Sequence, residues 1–478
     1  MRPPIGFLKP AILAGWVCIA VFAVWRSQFR ASDTEAVFLT ALILLSGLIV
    51  SRYTIGLPYG SAPIMYLALL GLFHLGLVVP SALFGYDFSR AFWFEAHDLS
   101  RVMALIIYAV VAYQIGILAA SHPRASPGQG LTIDSTNLDR WDLFVSGSTL
   151  FVTGALMFVF GLIGLDPTGY LRLTYSETYR LSAESDPRFF GTGIMFGAIG
   201  LSVAAAGATK RQFRFVFPAA GLWILMLLFW GFRGPALLAG AVVCAVAIKK
   251  GIHFSKYFPW LCAAGLLLIL PLVRVVREQP PSERFTQFPL GEFNLLDGPA
   301  EMGASIRPLI ETMAAIGPAN YRFGRTYWLG IKEIIPNLAL RWQSPDTEST
   351  DDLPPNLWIT SIADPWLYRN YGGIGFSAIA EPYMNFGIAG VVAYFFLLAF
   401  FLVKFEQVAL RNSYALAAWA VILGPLLWTT RNDSSNFFRP AVWGLLFVAV
   451  VRILSGGYMF IRRSGGDNRV SVEATEGT

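Results

Sequence analysis

The feature that most constrains this chain is a succession of apolar runs that recur between residues 7 and 455. Each run is close to the length of about 20 residues with which a helix crosses roughly 30 Å of hydrocarbon. Of the 478 residues, 55% are hydrophobic and 14% are charged, so the chain cannot enclose its apolar surface in a water-soluble core. The sequence therefore predicts an all-α, polytopic integral membrane protein with about 12 transmembrane helices.

The predicted spans divide the chain into four parts. Residues 1–275 hold nine spans, 276–372 form one large extracytoplasmic loop, 373–455 hold a re-entrant segment and three spans, and 456–478 form a cytoplasmic tail. The spans themselves are predicted near 7–25, 35–51, 62–80, 101–120, 142–164, 189–207, 215–231, 234–248, 257–275, 386–403, 413–430 and 437–455.

Two short basic loops predict the orientation. Residues 210–214 and 249–256 are rich in lysine and arginine, and such loops remain in the cytoplasm. Two predicted spans separate these loops, so both can lie on the same side. We therefore expect both termini in the cytoplasm, and 231–234, 276–372 and 431–436 outside.

Lysine and arginine are distributed differently across this topology. Six of the seven lysines fall on the cytoplasmic side and only Lys332 lies outside, where arginines are common. Arginine keeps its charge and presents a planar fork that binds phosphate through two hydrogen bonds. The pattern favours a phosphate-bearing or acidic ligand outside, with a general abundance of arginine in this chain as the alternative. The net charge of +6 includes no basic block, so we expect no nucleic acid partner.

Several outer arginines are candidate ligands for such an anion. Arg233 lies in a short Gly-Phe-Arg-Gly turn, Arg274 and Arg277 share one helix face, and Arg322 and Arg325 repeat that spacing in the loop. The alternatives are a snorkelling anchor for Arg233, neutralisation by a neighbouring acid or lipid phosphate for the pair near 275, and a solvated helix for the loop pair.

Two acidic residues are candidates for proton transfer or orientation. Glu381 precedes a proline within 373–403, which is too long for one span, so we predict a short re-entrant helix and then a span from about 386. A carboxylate at membrane depth is a functional candidate, with a pairing role to an arginine as the alternative. Asp433 stands between Arg431 and Arg439 in the last outer turn, and pairing with either of them is its alternative role.

Other chemistries have little support. The four histidines all lie outside 276–372, which argues against a Ser–His nucleophile system in the loop. The three cysteines fall within predicted spans, which excludes a disulfide framework. Asp33-Thr34-Glu35 is a weak match to the acidic motif of metal-dependent polyprenyl-sugar glycosyltransferases. We expect no cofactor and no metal site.

Several segments together resemble the bacterial O-antigen polymerases of the Wzy type. They are the Gly-Phe-Arg-Gly turn ending at Gly234, Tyr-Arg-Phe-Gly at 321–324, the segment 375–390 with its Glu-Pro-Tyr-Met-Asn-Phe-Gly core, and the turn 431–439. The resemblance covers the C-terminal two-thirds in order and spacing. The loop has no histidine, whereas related O-antigen ligases carry a functional one there, so the resemblance favours a polymerase over a ligase.

The resemblance implies a metal-independent glycosyltransferase of the bacterial inner membrane. It would join undecaprenyl-diphosphate-linked oligosaccharide repeat units at the outer leaflet into a surface polysaccharide, with the lipid bilayer and a candidate chain-length regulator protein as partners. The implied catalytic residues are Glu381, Asp433 and Arg233. The implied substrate-binding residues are Arg274, Arg277, Arg322, Arg325, Arg369, Tyr383, Asn385, Arg431 and Arg439.

Three other functions fit the same topology. A transporter or flippase of lipid-linked glycans usually shows matching halves, but the large loop has no counterpart in the first half of the chain. Another polyprenyl-dependent glycosyltransferase is the second alternative. A membrane scaffold is the third, and it would not account for the external arginines.

Overall fold

The computed structural model describes most of the chain. The described ranges are 5–28, 32–85, 99–121, 140–165, 188–255, 257–277, 294–335, 353–370 and 372–470, with the isolated residues 174, 177–178, 180–181 and 279. Over these ranges the regular structure is helical and contains no strand, which confirms the predicted fold class.

Ten α-helices are described between residues 5 and 277. They are α1 (Ile5–Arg26), α2 (Asp33–Ile49), α3 (Ala62–Leu75), α4 (Val78–Phe84), α5 (Leu99–Ala120), α6 (Trp141–Leu165), α7 (Arg188–Gly207), α8 (Phe213–Phe229), α9 (Arg233–Lys249) and α10 (Phe258–Arg277).

The second half contains a set of short helices followed by three long ones. They are α11 (Asp297–Gly303), α12 (Ile306–Ala315), α13 (Arg325–Lys332), α14 (Pro355–Ala363), α15 (Pro365–Arg369), α16 (Ala380–Ala409), α17 (Ser413–Trp428) and α18 (Ser435–Val470). The short helices α11 to α15 lie within the predicted large loop, so the described part of that loop is folded.

The long helices have the length and composition of membrane spans. Within the described residues, seven helices are long and apolar enough to cross a bilayer, and three shorter apolar helices accompany them. Large apolar side chains such as Leu222 and Phe401 are 70% and 61% exposed, as expected for side chains that face lipid. Each predicted span coincides with a helix, although 62–80 is divided between α3 and α4. The exact number of crossings stays a prediction.

Helices α6 and α7 form the closest helix pair. Gly147, Gly154 and Gly161 of α6 repeat every seven residues, and so do Gly193, Gly200 and Gly207 of α7. A Cβ added at Gly154 would lie 2.3 Å from the backbone nitrogen of Gly197 in the facing helix. Small residues at such positions let two membrane helices approach to backbone contact.

Helix α16 is broken near its start. Gly387 has φ 63° and ψ −152°, which interrupts the helix, and a Cβ there would lie 2.4 Å from the hydroxyl oxygen of Tyr321. The break falls one residue beyond the predicted start of the span at 386. That the first part of α16 is re-entrant stays a prediction.

The two ends of α16 carry two different buried carboxylates. Glu381 lies in its first turn and Glu406 in its last, on opposite sides of the break at Gly387. Glu406 pairs with Lys249 of α9 at 2.5 Å and accepts the backbone N–H of Ala62 at 3.0 Å. We call this the lysine end of the bundle, and the end that holds Glu381 the site end.

Candidate functional site

Three chain segments meet at the site end, next to the break at Gly387. The carbonyls of Met384 and Asn385 lie just before this break. They accept the backbone N–H groups of Arg322 and Phe323 at 3.0 and 3.1 Å. The loop segment before α13 is thereby fixed against the start of α16.

Glu381 connects this pair of segments to the turn between α17 and α18. Its Oε1 accepts hydrogen bonds from the hydroxyls of Thr326 at 2.9 Å and Ser434 at 2.6 Å, and its Oε2 accepts the backbone N–H of Ser434 at 2.8 Å. The residue is 4% exposed. Three donors to one carboxylate suit its ionised form, because a carboxylate only accepts.

Asn385 orders the donors around Glu381. Its amide nitrogen donates to the hydroxyl oxygen of Thr326 at 2.7 Å and to the backbone carbonyl of Glu381 at 2.8 Å. Its amide oxygen accepts the backbone N–H of Gly324 at 2.8 Å. The Thr326 hydroxyl can therefore direct its own proton to Glu381.

Asp433 is fully buried beside this network. Its Oδ2 accepts the backbone N–H of Asn356, in α14, at 2.9 Å. Its Oδ1 accepts from the hydroxyl of Ser435 at 2.6 Å and from the amide of Asn436 at 3.0 Å. Asp433 thus joins α14 to the start of α18, as a carboxylate at a helix N-terminus does favourably.

Arg233 lies at the turn between α8 and α9, where Gly231 has φ 84°. The side chain is 5% exposed, and its two terminal nitrogens donate to the carboxylate of Glu301, in α11, at 2.7 and 2.5 Å. A carboxylate occupies the fork that a phosphate would use. The role of Arg233 in binding diphosphate stays a prediction.

The other candidate residues lie at different places. Tyr383 packs with its ring centroid 6.2 Å from that of Tyr321. Arg369 ends α15 and Arg325 begins α13, and both are exposed. The side chains of Arg274 and Arg277, in the last turn of α10, lie outside the described residues.

Three arginines contact the short helices or their neighbours. The guanidinium of Arg322 lies 4.7 Å from the ring centroid of Trp358. Arg431 donates to the sulfur of Met302 at 3.8 Å. Arg439 donates from Nε to the backbone carbonyl of Glu333 at 2.6 Å. The structure therefore brings Glu381, Asn385, Asp433, Arg322, Arg431 and Arg439 to the site end.

A cavity of about 310 Å³ opens between four long helices below this network. Its walls are mostly apolar, and its polar side chains Glu333, Ser435, Asn436 and Arg439 lie where α18 begins. Burial, together with the charge of Asp433, raises the pKa of Glu333 to about 7, and nearby Arg439 opposes this shift.

Sequence reasoning missed four residues of the site. Thr326 and Ser434 adjoin the candidates Arg325 and Asp433, but their contact with Glu381 spans more than 50 positions. Glu333 lies within the predicted large loop, and no local pattern distinguished it from the other acidic residues there. Glu301 had no signal, because its partner Arg233 is 68 positions away.

These features define a polytopic helical membrane protein with a buried carboxylate network at one end of its bundle and an apolar cavity beneath that network. Residues 12–462 match the family O-antigen polysaccharide polymerase Wzy, and the chain belongs to that family. It is therefore an integral membrane protein with a polysaccharide polymerase role, in a family that acts on lipid-linked oligosaccharide repeat units.

One curated relative is consistent with this membership. Protein CapE of Staphylococcus aureus is 23% identical over 226 residues, which cover 47% of this chain and 47% of that protein. The match thus spans about half the length of that relative. No solved structure matches the chain significantly.

Proposed function

We propose that this protein joins undecaprenyl-diphosphate-linked repeat units at the outer leaflet, with the site end of the bundle facing outside. The supporting observation is that the turn 429–436 links Glu381, Asp433 and the Arg439–Glu333 contact at one end of an apolar bundle. Charged groups placed there can meet a reacting diphosphate at the membrane edge.

The reaction forms one bond and breaks another. A hydroxyl at the non-reducing end of one unit attacks the anomeric carbon of a second chain, the bond from that carbon to the diphosphate oxygen breaks, and the diphosphate leaves with the electron pair. The hydroxyl proton passes to a carboxylate. Fixed guanidinium groups at a dry site stabilise the charge of the leaving group, and the proposal assigns that task to arginines without a metal ion.

The arginines divide between two tasks in this proposal. Arg233, Arg274 and Arg277 hold the diphosphate, with Arg233 first releasing Glu301. Arg369, Arg431 and Arg439 hold the glycan or its phosphate, and the loop pair Arg322 and Arg325 lies at the acceptor side. Tyr383 lies on the approach of the sugar, and the buried Asn385 acts through the donors that it orders around Glu381.

The carboxylates also divide between two tasks. Glu381 and Asp433 each accept three hydrogen bonds from the protein, so they suit the orientation of the turn 429–436, which in this proposal positions the acceptor hydroxyl. Glu333 is only partly buried, lines the cavity mouth and has a pKa of about 7. A general base is most effective when its pKa lies near the working pH, so Glu333 is the better proton acceptor.

The surface-polysaccharide ladder of a cell that lacks this gene tests the proposal. We expect long chains to disappear while single repeat units remain. The native protein should restore the ladder, and Arg233→Ala or Glu381→Gln, inserted at equal levels, should not. Loss of all surface glycan, with lipid-linked units accumulating on the cytoplasmic side, would instead identify a translocator.

A further inference from the structure

The cavity at the site end is formed by one face of each of four helices. Its wall residues on α7, α9 and α17 recur at spacings of three and four, which places them on a single face of each helix. They are Gly191, Ile194, Met195, Ala198, Ile199 and Ser202 of α7, Pro235, Leu238, Ala239 and Val242 of α9, and Val421, Gly424, Pro425 and Trp428 of α17.

The cavity is elongated along the helices. From Gly191 to Ser202 the wall of α7 extends about 16 Å at 1.5 Å per residue. That length is about half of a hydrocarbon core of roughly 30 Å. The volume of about 310 Å³ is within the usual range for sites that enclose a small ligand.

Polarity is graded along this length. At the inner end the hydroxyl of Ser202 donates to the carbonyl of Ala198 at 2.7 Å, within its own helix. At the mouth, Ser435, Asn436 and Arg439 lie beside Glu333. A ligand that fits this gradient has an apolar chain and an anionic head.

The mouth is continuous with the carboxylate network. Ser435 and Asn436 line the cavity and also donate hydrogen bonds to Asp433. The next residue, Ser434, donates to Glu381. Trp428 also lines the cavity, and Gly234 packs against its ring, where a Cβ would lie 1.9 Å from the nearest ring carbon. An anionic head group of a ligand at the mouth of the cavity would therefore lie between the α8–α9 turn, which holds Arg233, and the N-terminus of α18.

We propose that this cavity binds the first isoprene units of the polyprenyl carrier, and that Arg439, which lines the cavity, contacts the carrier diphosphate rather than the glycan to which it is assigned above. The inference rests on the proposed function and adds where on the protein the polyprenyl carrier binds. The chain in the cavity fixes the anomeric carbon at the mouth, next to Glu333. A methyl-branched prenyl chain suits walls that are mostly apolar and that leave open space at Gly191, where an added Cβ would meet nothing within 4 Å.

Gly191→Phe tests the cavity, and Gly221→Phe is its matched control. A Cβ at either position meets nothing within 4 Å, so both variants can add a side chain without displacing the backbone. Gly191 lines the cavity, whereas Gly221, on α8, does not. Equal yield and equal thermal stability of the two variants would show that any difference is local.

The measurement is a titration of the detergent-solubilised full-length protein with radiolabelled undecaprenyl diphosphate. We expect Gly191→Phe to weaken binding by at least about tenfold and Gly221→Phe to bind like the native protein. Arg439→Gln should weaken binding of undecaprenyl diphosphate but not of undecaprenol. Native affinity in Gly191→Phe would overturn the inference, and so would equal competition by phosphatidylglycerol, which would identify a general lipid cavity.

The failure of this inference is distinguishable from the failure of the proposed function. If the native protein restores long chains and Gly191→Phe does so equally, the carrier binds elsewhere and the polymerase function stands. If the probe binds as expected but the native protein does not affect the ladder, the cavity stands and the polymerase function is wrong.

Discussion

Helices α6 and α7 contact each other through glycine, whereas the site end is joined by hydrogen bonds to carboxylates. The glycine contact needs no directional group, because the two backbones approach until an added Cβ would lie only 2.3 Å from the other helix. The site end instead holds Glu381, Thr326 and Ser434 at hydrogen-bond distances. Helices in lipid have no hydrophobic driving force for association, so backbone contact through glycine and hydrogen bonding stabilise their packing instead. Only the second brings polar side chains of distant segments together.

The largest expected effect is a failure of the glycine contact. Gly154→Leu would place a side chain against the backbone of Gly197, and we expect the free energy of unfolding to fall by about 3 kcal/mol, the upper part of the usual range for overpacking. Thermal unfolding in detergent measures this. Gly164→Leu, on the same helix, meets nothing within 4 Å and should remain stable. Equal stability of the two variants would contradict the packing described for α6 and α7.

The second prediction concerns the two buried carboxylates of α16. Glu381→Gln places an amide nitrogen beside the donors of Ser434 and Thr326 and so disturbs the turn that Glu381 orients, and we expect chain elongation per inserted protein to fall by about 100-fold. Glu406→Gln breaks the pair with Lys249 at the lysine end. That variant should lose stability but retain elongation per inserted protein. An equal loss of elongation in both variants would contradict the assignment of function to the site end alone.

The third prediction is a pH dependence that belongs to the site end. Glu333 can accept a proton only when it is ionised, so elongation should rise as the pH passes through about 7. Glu333→Gln should remove this rise and Lys332→Gln, its neighbour, should keep it. An unchanged pH profile in Glu333→Gln would exclude the residue as proton acceptor.

Stability should change with pH in the opposite direction. The pKa of Glu333 is raised in the folded state from its ordinary value of 4.5 to about 7, so between these values the unfolded chain binds fewer protons. The contribution of Glu333 to stability is therefore present at low pH and is lost as the pH rises through about 7. Thermal unfolding of native protein and Glu333→Gln across this range checks the sign.

The smallest expected effect concerns the Arg233–Glu301 pair. If a diphosphate displaces Glu301 from the guanidinium fork, then Glu301→Gln removes a competitor, and undecaprenyl diphosphate should raise the melting temperature more in this variant than in the native protein. Arg233→Lys, which keeps the charge but loses the fork, should reduce that shift. The same shift in all three proteins would leave Arg233 as a partner of Glu301 alone.

The sequence by itself determined the helices and the class of protein. Apolar runs are local properties of the sequence, and the thickness of the bilayer sets the length that such a run needs to span it. It also predicted a break near residue 386, since Glu381 and Pro382 lie in a stretch too long for one span. The glycine repeats of α6 and α7 were visible in the sequence, but only the packing of the two helices shows that these glycines allow contact between the backbones.

The tertiary structure alone decided the partners of the polar groups. The Glu381 carboxylate meets Thr326 and Ser434 from more than 50 positions away on either side, and Arg233 meets Glu301 across 68 positions. Such contacts arise when helices pack, and no local pattern specifies which ends come together. In the sequence, Arg233 and Arg439 look equivalent, because each is a cation in a predicted outer turn. Packing gave one a buried carboxylate and placed the other at the mouth of an apolar cavity.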